Sequence, residues 1–282
     1  MELPSEMISL LEAEGVTVRF GGVAANNGVS FWCTKSQITA VIGPNGAGKT
    51  TLFNAITGAR APDAGEITFL GQRVERMPAW KRARMGMART FQNPALIPTA
   101  TVLENVTIGA SRYLRYGSLS AFLHLPRVAT TDRELTRIAQ WALRATGIHD
   151  AQNRLAGNLP YGLVRRVEIA RAIALGPELL LLDEPAAGMD HVETEELADL
   201  LVRTRDEWGL TILLVEHDLS LVKAVADRAF VLDFGEVIAS GSVESVLHDP
   251  KVMEAYLGPH AIGKMLGPLR SSRTVGATPG EP

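Results

Sequence analysis

The stretch that decides the fold is Gly43-Pro44-Asn45-Gly46-Ala47-Gly48-Lys49-Thr50. It satisfies the pattern G-x-x-x-x-G-K-S/T of a phosphate-binding loop, or P-loop. The apolar run Ile38–Ile42 precedes it and predicts a strand, while Lys49–Thr57 predicts a helix that opens where the loop ends. The motif and its strand-to-helix context therefore indicate a loop that holds the phosphates of a nucleotide.

The residue types of this loop suit a triphosphate. Glycines let the backbone curl so that its N–H groups point at phosphate oxygens, and the positive end of the following helix adds to the attraction. In such loops the lysine, here Lys49, bridges the β- and γ-phosphates, and the hydroxyl, here Thr50, contacts Mg²⁺. We therefore predict ATP and Mg²⁺ as bound groups and assign nucleotide contacts to Gly43, Pro44, Asn45, Gly46, Ala47, Gly48, Lys49, Thr50 and Thr51.

A second carboxylate is needed beside a P-loop to hold the magnesium ion. The apolar run Leu179–Leu182 ends in Asp183, which is the predicted metal-side residue. Glu184 follows at once, and successive strand residues face opposite ways unless the strand has ended. We expect Glu184 on the exit loop beside the γ-phosphate, where it could orient or deprotonate the attacking water. The alternative, a merely polar strand end, is disfavoured by the presence of the P-loop.

Composition limits the class of protein. The 282 residues, 46% of them hydrophobic, suffice for one large domain or two small ones with a real core. The formal charge of −3, from 28 basic and 31 acidic side chains, gives no basic field of the kind that binds nucleic acid, so no nucleic-acid partner is expected. The single cysteine, Cys33, lies in a strand-like run and is expected to be a core residue.

No membrane anchor is expected from the sequence. Residues 1–6 lack a basic stretch followed by an apolar one, so no signal peptide is predicted. No uninterrupted apolar run reaches the roughly 18 residues that a membrane helix needs. We therefore expect a cytosolic chain whose association with a membrane comes through another subunit.

Short strand-like runs alternate with helical stretches along the chain, which predicts an α/β sheet buried on both faces. Gly65–Gly71 suggests an antiparallel arm, and roughly Thr101–Leu155 is predicted to be an inserted helical lobe. Toward the C-terminus we expect a helix over Leu219–Arg228 and a hairpin whose strands are Phe230–Leu232 and Val237–Ser240. A second helix, Lys251–Leu257, and a mobile tail, Gly258–Pro282, are expected to follow.

The motifs occur in an order that resembles the ATP-binding subunit of ABC transporters. Leu159–Ala172 resembles the family signature, which precedes the strand ending in Asp183. Gln92 resembles the Q-loop glutamine, a ligand of Mg²⁺ and water that also communicates with the membrane subunit. Asp190 ends a segment similar to the D-loop, and His217 resembles the switch histidine that contacts the γ-phosphate.

This resemblance implies a fold and a division of the chain. The fold class is α/β, with a P-loop NTPase (RecA-like) core sheet, an antiparallel β arm and an inserted helical subdomain. The ATPase domain would cover residues 7–258, the helical subdomain about 96–163, and a flexible tail 259–282.

The resemblance also implies roles for individual residues. Phe20 falls where the family places an aromatic ring that stacks on adenine, although a strand residue of this type is as readily a core residue. The implied catalytic residues are Glu184, His217, Gln92 and Lys49. The implied metal contacts are Thr50, Gln92 and Asp183, and the further nucleotide contacts are Tyr161, Gly162 and Asp190.

The signature segment departs from the common L-S-G-G-Q form. Pro160 replaces the serine, Tyr161 the first glycine and Leu163 the glutamine, so a hydroxyl contact to phosphate is missing. Gly162 remains, with a helix expected to start near Leu163 whose free N–H groups can meet an anion. In this family the signature of one subunit completes the ATP site of another, which implies a second ATPase subunit, identical or paralogous.

Several segments are similar to branched-chain (hydrophobic) amino acid importers, notably Phe20–Asn26, Arg89–Gln92 with Thr101–Val106, the Tyr161-Gly162 signature, and Asp249–Gly258. This similarity implies partner permeases, an extracytoplasmic solute-binding protein, and a place at the cytoplasmic face of the cell membrane, peripheral through the permeases.

Two alternatives stay open at this point, and two others are disfavoured. One of the disfavoured two is a soluble ABC ATPase of translation or DNA repair, since those proteins usually carry twin cassettes or a long coiled-coil insertion and neither is seen here. Importers of urea and short amides resemble the same group closely, since no residue of an ATPase subunit touches the solute. The altered signature makes a non-catalytic module that dimerises on ATP conceivable. A soluble P-loop kinase or GTPase is disfavoured because the chain has no guanine-reading N-K-x-D and because such an enzyme leaves the signature and His217 unexplained.

Overall fold

The computed structural model describes residues 9–90, 95–113 and 126–257. Its strands are β1 Ser9–Phe20, β2 Val23–Thr34, β3 Ile38–Ile42, β4 Ala64–Phe69, β5 Gln72–Arg73, β6 Met87–Arg89, β7 Leu179–Asp183, β8 Thr211–Glu216, β9 Arg228–Asp233 and β10 Glu236–Gly241. Its α-helices are α1 Lys49–Thr57, α2 Ala79–Arg84, α3 Val102–Gly109, α4 Pro126–Ala145, α5 Tyr161–Ala174, α6 His191–Trp208, α7 Leu219–Val225, α8 Val243–Leu247 and α9 Pro250–Leu257.

A six-stranded sheet in the order β10-β9-β3-β8-β7-β6 forms the centre of the fold. Strands β9, β3, β8, β7 and β6 pair in parallel, and β10 folds back antiparallel on β9. Both faces are buried, because the residues of each central strand alternate between two cores. Ile42 and Leu182 pack among the helices, whereas Val41 and Leu181 face α1 and the second sheet. The predicted α/β sheet is therefore confirmed.

The second sheet is antiparallel, in the order β2-β1-β4-β5. It packs on the central sheet through aromatic contacts: Phe31 and Trp32 meet the ring of Phe230 edge-on, with centroids 5.7 and 5.2 Å apart. This sheet is the antiparallel arm that the sequence predicts. Cys33 is buried within it, and desolvation raises the pKa of its thiol to about 12, which agrees with a core role.

The helices α3, α4 and α5 pack on one another beside the central sheet. A capping box begins α3, with Thr101 Oγ1 accepting from the Glu104 N–H at 3.2 Å and Glu104 Oε2 accepting from the Thr101 N–H at 2.7 Å. Trp141 of α4 lies against Trp208 at the end of α6, with ring centroids 4.8 Å apart, so α4 also contacts α6. Within the described ranges, no helix has the length and apolar content that crossing a bilayer requires.

Two predicted helix boundaries are wrong. The helix of the signature segment begins at Tyr161 rather than near Leu163, because Pro160 caps it and its carbonyl accepts from the Val164 N–H at 3.1 Å. The helix expected over Leu219–Arg228 ends at Val225. Asp227 is committed to the sheet instead, since its N–H donates to Ile38 O at 2.9 Å and its Oδ2 accepts from the Ile38 N–H at 2.8 Å.

Candidate nucleotide site

The carboxyl ends of β3, β7 and β8 lie side by side at one edge of the central sheet. The three segments that leave this edge are the P-loop after Ile42, the pair Asp183-Glu184, and the pair Glu216-His217. Ligands of open α/β sheets bind at this edge, because the loops that follow parallel strands converge there. The fold thus brings three widely separated sequence motifs into one place.

The P-loop curls between β3 and α1 under tight steric limits. Gly48 adopts a left-handed φ of 100°, and a Cβ there would lie 2.3 Å from Ala25 O, so only glycine fits. Asn26, fully buried in β2, donates from Nδ2 to Gly48 O at 3.2 Å and anchors the loop. Residues 45–51 and Glu184 line a cavity of about 320 Å³, into which the first N–H groups of α1, unpaired within the helix, can donate.

Lys49 is buried at the start of α1. Its ammonium donates to Gly43 O at 2.7 Å and to Pro44 O at 3.0 Å, so the side chain folds back on its own loop. Burial lowers the pKa of Lys49, and the nearby carboxylates of Glu184, Asp183 and Glu216 oppose that shift. The loop lysine and the strand-end carboxylates therefore share one electrostatic environment, while Thr50 beside it is exposed.

Asp183 is buried at the end of β7 and is held on one side only. Its Oδ2 lies 2.8 Å from Arg89 Nη2, and Arg89 in turn donates from Nη1 to Asn54 Oδ1 of α1 at 2.7 Å. Among the described residues, no hydrogen-bond donor reaches the other oxygen, Asp183 Oδ1, although it too is buried. A buried, unpaired carboxylate oxygen beside a P-loop fits a Mg²⁺ ion or a water bound to one.

Glu184 directly follows the last residue of β7, and its backbone conformation breaks the alternating side-chain directions of the strand. It adopts a left-handed φ of 46°, rare for a residue with a side chain, and its N–H donates to Val215 O at 2.9 Å. The carboxylate lies largely buried, with Oε1 3.9 Å from Nδ1 of the half-exposed His217. The expected exit from the strand is confirmed, and such strain at a strand end is typical of functional sites.

Glu216 organises the loops that carry Glu184 and His217. It is fully buried and accepts from the N–H groups of Ala186 at 2.9 Å, His217 at 3.1 Å and Asp218 at 3.4 Å. Desolvation raises the pKa of Glu216, and these main-chain N–H groups oppose the shift. The carboxylate therefore ties the loop after β7 to the loop after β8.

Sequence reasoning missed Arg89, Asn26 and Glu216 as parts of this site. For Arg89 and Glu216 the sequence did contain a signal. Arg89 ends the strand run Met87-Ala88-Arg89, and Glu216 follows the apolar run Thr211–Val215, just as Asp183 follows Leu179–Leu182.

The signature residues sit at the first turn of α5. Gly162 packs closely against α6, since a Cβ there would lie 2.2 Å from Glu193 Oε1 and would force that side chain to move. Tyr161 accepts at Oη from Arg165 Nε at 3.0 Å. Asp190 caps α6, its Oδ1 accepting from the Glu193 N–H at 2.8 Å. Nucleotide contact by Tyr161, Gly162 and Asp190 stays a prediction.

Phe20 lies at the end of β1 and is 53% exposed, which excludes the alternative of a core residue. The guanidinium carbon of Arg60 lies 4.1 Å from its ring centroid. Its stacking on adenine stays a prediction. Gln92 lies outside the described residues.

The fold and this edge define a P-loop nucleotide-binding protein. A family profile described as "ABC transporter" matches residues 26–187, more than half of the chain, and one described as "Branched-chain amino acid ATP-binding cassette transporter" matches residues 236–258. The chain therefore belongs to the ABC transporter family, as one of its ATPase cassettes. The family predicted from the order of the motifs is confirmed.

Similar proteins extend over most of the chain. The high-affinity branched-chain amino acid transport ATP-binding protein LivG of Escherichia coli is 43% identical over 250 residues, 88% of this chain and 98% of LivG. The ADP conformation of MJ1267, an ATP-binding cassette of an ABC transporter, superposes with a TM-score of 0.77 at 31% identity, covering 89% of this chain and 99% of MJ1267. The dimeric structure of MJ0796, a bacterial ABC transporter cassette, gives 0.71 at 25% identity, covering 83% and 98%.

Proposed function

We propose that this chain hydrolyses ATP to energise the import of branched-chain amino acids through partner permeases. The observation that carries the proposal is the convergence of Lys49, Asp183, Glu184 and His217 at one sheet edge around the P-loop cavity. In this proposal they act as a phosphate-binding cation, a metal-side carboxylate, a general base and a second polar group, a set that supports phosphoryl transfer to water.

Binding of ATP begins with main-chain groups. The triphosphate lies on the amides of the P-loop and the N-terminus of α1, and the ammonium of Lys49 exchanges the carbonyls of Gly43 and Pro44 for β- and γ-phosphate oxygens. Thr50, Asp183 through its unpaired Oδ1, and Gln92 would hold Mg²⁺. When bound, the ion neutralises charge on the β- and γ-phosphate oxygens.

Hydrolysis then uses the two residues at the exits of β7 and β8. Glu184 orients the attacking water and accepts its proton, because its carboxylate projects from a turned strand end beside the cavity. We assign to His217, which lies 3.9 Å from the Glu184 carboxylate, the role of donor to the γ-phosphate. Glu216 holds the two loops together by accepting hydrogen bonds from three of their N–H groups.

The complete site needs a second ATPase subunit, identical or paralogous. We assign the first turn of α5, with Tyr161 and Gly162, and the D-loop residue Asp190 to the closing of the partner's site. We assign to the exposed ring of Phe20 the stacking on adenine. The structural similarity to a cassette solved as a dimer, MJ0796, supports this arrangement.

The solute class and location rest on the relatives. LivG is described as a branched-chain amino acid transport protein, and the match over residues 236–258 is to a branched-chain amino acid cassette. We therefore assign the chain to the cytoplasmic face of the membrane, held there by permeases that receive their solute from an extracytoplasmic binding protein. A urea or short-amide importer is the alternative solute class.

The test is reconstitution of the full chain with its cognate permeases, second ATPase subunit and binding protein in liposomes. Uptake of radiolabelled leucine is expected with enclosed Mg-ATP and not with Mg-ADP, and leucine, isoleucine and valine are expected to compete where urea and acetamide do not. Uptake blocked by urea or acetamide instead would reassign the solute. A wild-type complex that binds ATP and releases no phosphate would identify the non-catalytic dimerisation module.

A further inference from the structure

A row of three charged side chains, two of them buried, crosses one face of α5. Arg165 Nη1 lies 3.1 Å from Glu168 Oε2, and Arg171 Nη2 lies 3.6 Å from Glu168 Oε1. The side chains of Arg165 and Glu168 are only 3% and 1% exposed. Replacing a buried ion pair by apolar residues of similar volume is often neutral or stabilising, so stability alone does not account for this row.

The upstream end of the row reaches the signature. Arg165 donates from Nε to Tyr161 Oη at 3.0 Å, and its guanidinium carbon lies 5.3 Å from the centroid of the Tyr161 ring. That ring lies against Gly188 of the D-loop segment, where an added Cβ would be 3.2 Å from a ring carbon. The tyrosine that stands in place of the usual signature glycine therefore contacts both the buried Arg165 of its own helix and the D-loop segment.

The downstream end of the row holds the chain just beyond Gln92. Glu168 Oε1 accepts from the Ala95 N–H at 3.4 Å, and Arg171 Nη1 donates to Ala95 O at 2.6 Å. Both main-chain polar groups of Ala95, three residues after Gln92, are thus bound by side chains of α5. A chain of direct contacts runs from the D-loop and signature to the segment that carries the Q-loop glutamine.

We propose that Glu168 is a positioning residue that couples the signature end of α5 to the Gln92 loop. The contacts Tyr161–Arg165–Glu168–Ala95 transmit nucleotide-driven movement of α5 to the loop that communicates with the permease. This inference rests on the proposed transport function. The partners of Glu168 are Arg165, Arg171 and Ala95, none of which is assigned to the nucleotide or the metal, so its removal changes how hydrolysis is linked to transport and leaves the chemical step in place.

The test uses two variants and one matched control. Glu168→Gln keeps the volume and an acceptor for Ala95 but removes the charge between the two guanidinium groups. The double variant Arg165→Met/Glu168→Leu replaces the buried pair by apolar side chains, which preserves packing if the single variant folds poorly. Glu196→Gln is the control, because the exposed Glu196 of α6 pairs with Arg166, a residue of α5 outside the row.

Two quantities are measured for each full-length variant assembled with its partner ATPase. The first is the basal rate of phosphate release without permeases; the second is the ratio of leucine uptake to ATP hydrolysed in the reconstituted importer. We expect Glu168→Gln and the double variant to lower the ratio about tenfold, a typical effect of breaking a coupling network, with basal rates within about twofold of wild type. The Glu196→Gln control keeps both values.

An unchanged ratio in the double variant overturns the proposal, as does a parallel fall of basal rate and ratio, which indicates a merely structural role. Tyr161→Phe provides a second measurement, because it removes the acceptor of Arg165 Nε. In the Tyr161→Phe protein, Glu168→Gln is expected to add little further loss of coupling, and full additivity of the two effects contradicts a contiguous network.

If the wild-type importer takes up no leucine, the proposed solute fails. The coupling is then read from the change in ATPase rate that the permeases cause, compared between wild type and Glu168→Gln.

Discussion

Arg89 Nη2 lies 2.8 Å from Asp183 Oδ2, and this contact holds the strand-end carboxylate at the floor of the nucleotide site. The same guanidinium binds Asn54 of α1, so one side chain connects β6, β7 and the P-loop helix. Since Arg89 occupies only one carboxylate oxygen, the other stays available for the metal side of the site.

Arg89→Gln is expected to leave the Asp183 charge buried and poorly compensated. Removing one partner of a buried pair lowers the free energy of unfolding by about 3 kcal/mol or more, which urea denaturation measures. The matched control is Arg73→Gln, which removes the contacts of an exposed guanidinium with Glu66 and Glu75 and is expected to change the free energy of unfolding much less. Equal effects of the two substitutions would remove Arg89 from this role.

Glu184→Gln is expected to retain ATP binding and to lose hydrolysis at least roughly a thousandfold, about 4 kcal/mol of barrier. The amide keeps the size of the side chain but cannot take the proton of the attacking water. Phosphate release and equilibrium ATP binding are measured on the same preparation. Glu195→Gln, an exposed position on α6, serves as control; near-normal turnover by Glu184→Gln would rule out its role as the base.

Lys49→Ala is expected to weaken nucleotide binding itself. Its ammonium already bonds to two loop carbonyls, and loss of a charged hydrogen-bonding partner for the phosphates raises the Kd for Mg-ATP at least about tenfold. Titration calorimetry measures the change, with Lys35→Ala, exposed between β2 and β3, as control. An unchanged Kd would show that the loop amides bind the triphosphate without a contribution from Lys49.

The buried Glu216 predicts a particular dependence of stability on pH. Because burial raises its pKa above the ordinary value of 4.5, the folded protein binds the proton more tightly than the unfolded chain does. Its contribution to stability is therefore fully present below pH 4.5 and is lost as the pH rises through the folded-state pKa. The unfolding free energy of wild type minus that of Glu216→Gln should fall over that window and then level off, because only the wild-type value depends on this proton. A value that rises with pH contradicts this assignment.

The central sheet and P-loop were predictable because their signals are local. Leu179–Leu182 and Thr211–Val215 are apolar runs of strand length, and the P-loop pattern lies in consecutive residues. Asp183 and Glu184 were predictable for the same reason, since both follow directly from the end of such a run.

Contacts between distant segments were not predictable from these patterns. The pairing of Arg89 with Asp183 depends on the parallel register of β6 and β7, which places Arg89 beside Leu181. The early end of α7 depends on Asp227 binding Ile38, 189 residues away along the chain. The role of Glu216 depends on where the loop after β7 presents the N–H of Ala186. Such long-range partners are fixed by tertiary packing, so local sequence patterns do not predict them.

Cys33 has a practical consequence for studying this cassette. The chain contains one sulfhydryl, and it is wholly enclosed with a pKa of about 12, so at neutral pH almost none of it is the nucleophilic thiolate. Maleimide or spin-label reagents should leave the wild-type fold untouched. Reporter cysteines introduced in pairs on α5 and beside the P-loop could therefore measure opening and closing between subunits by distance spectroscopy, without first removing a native site.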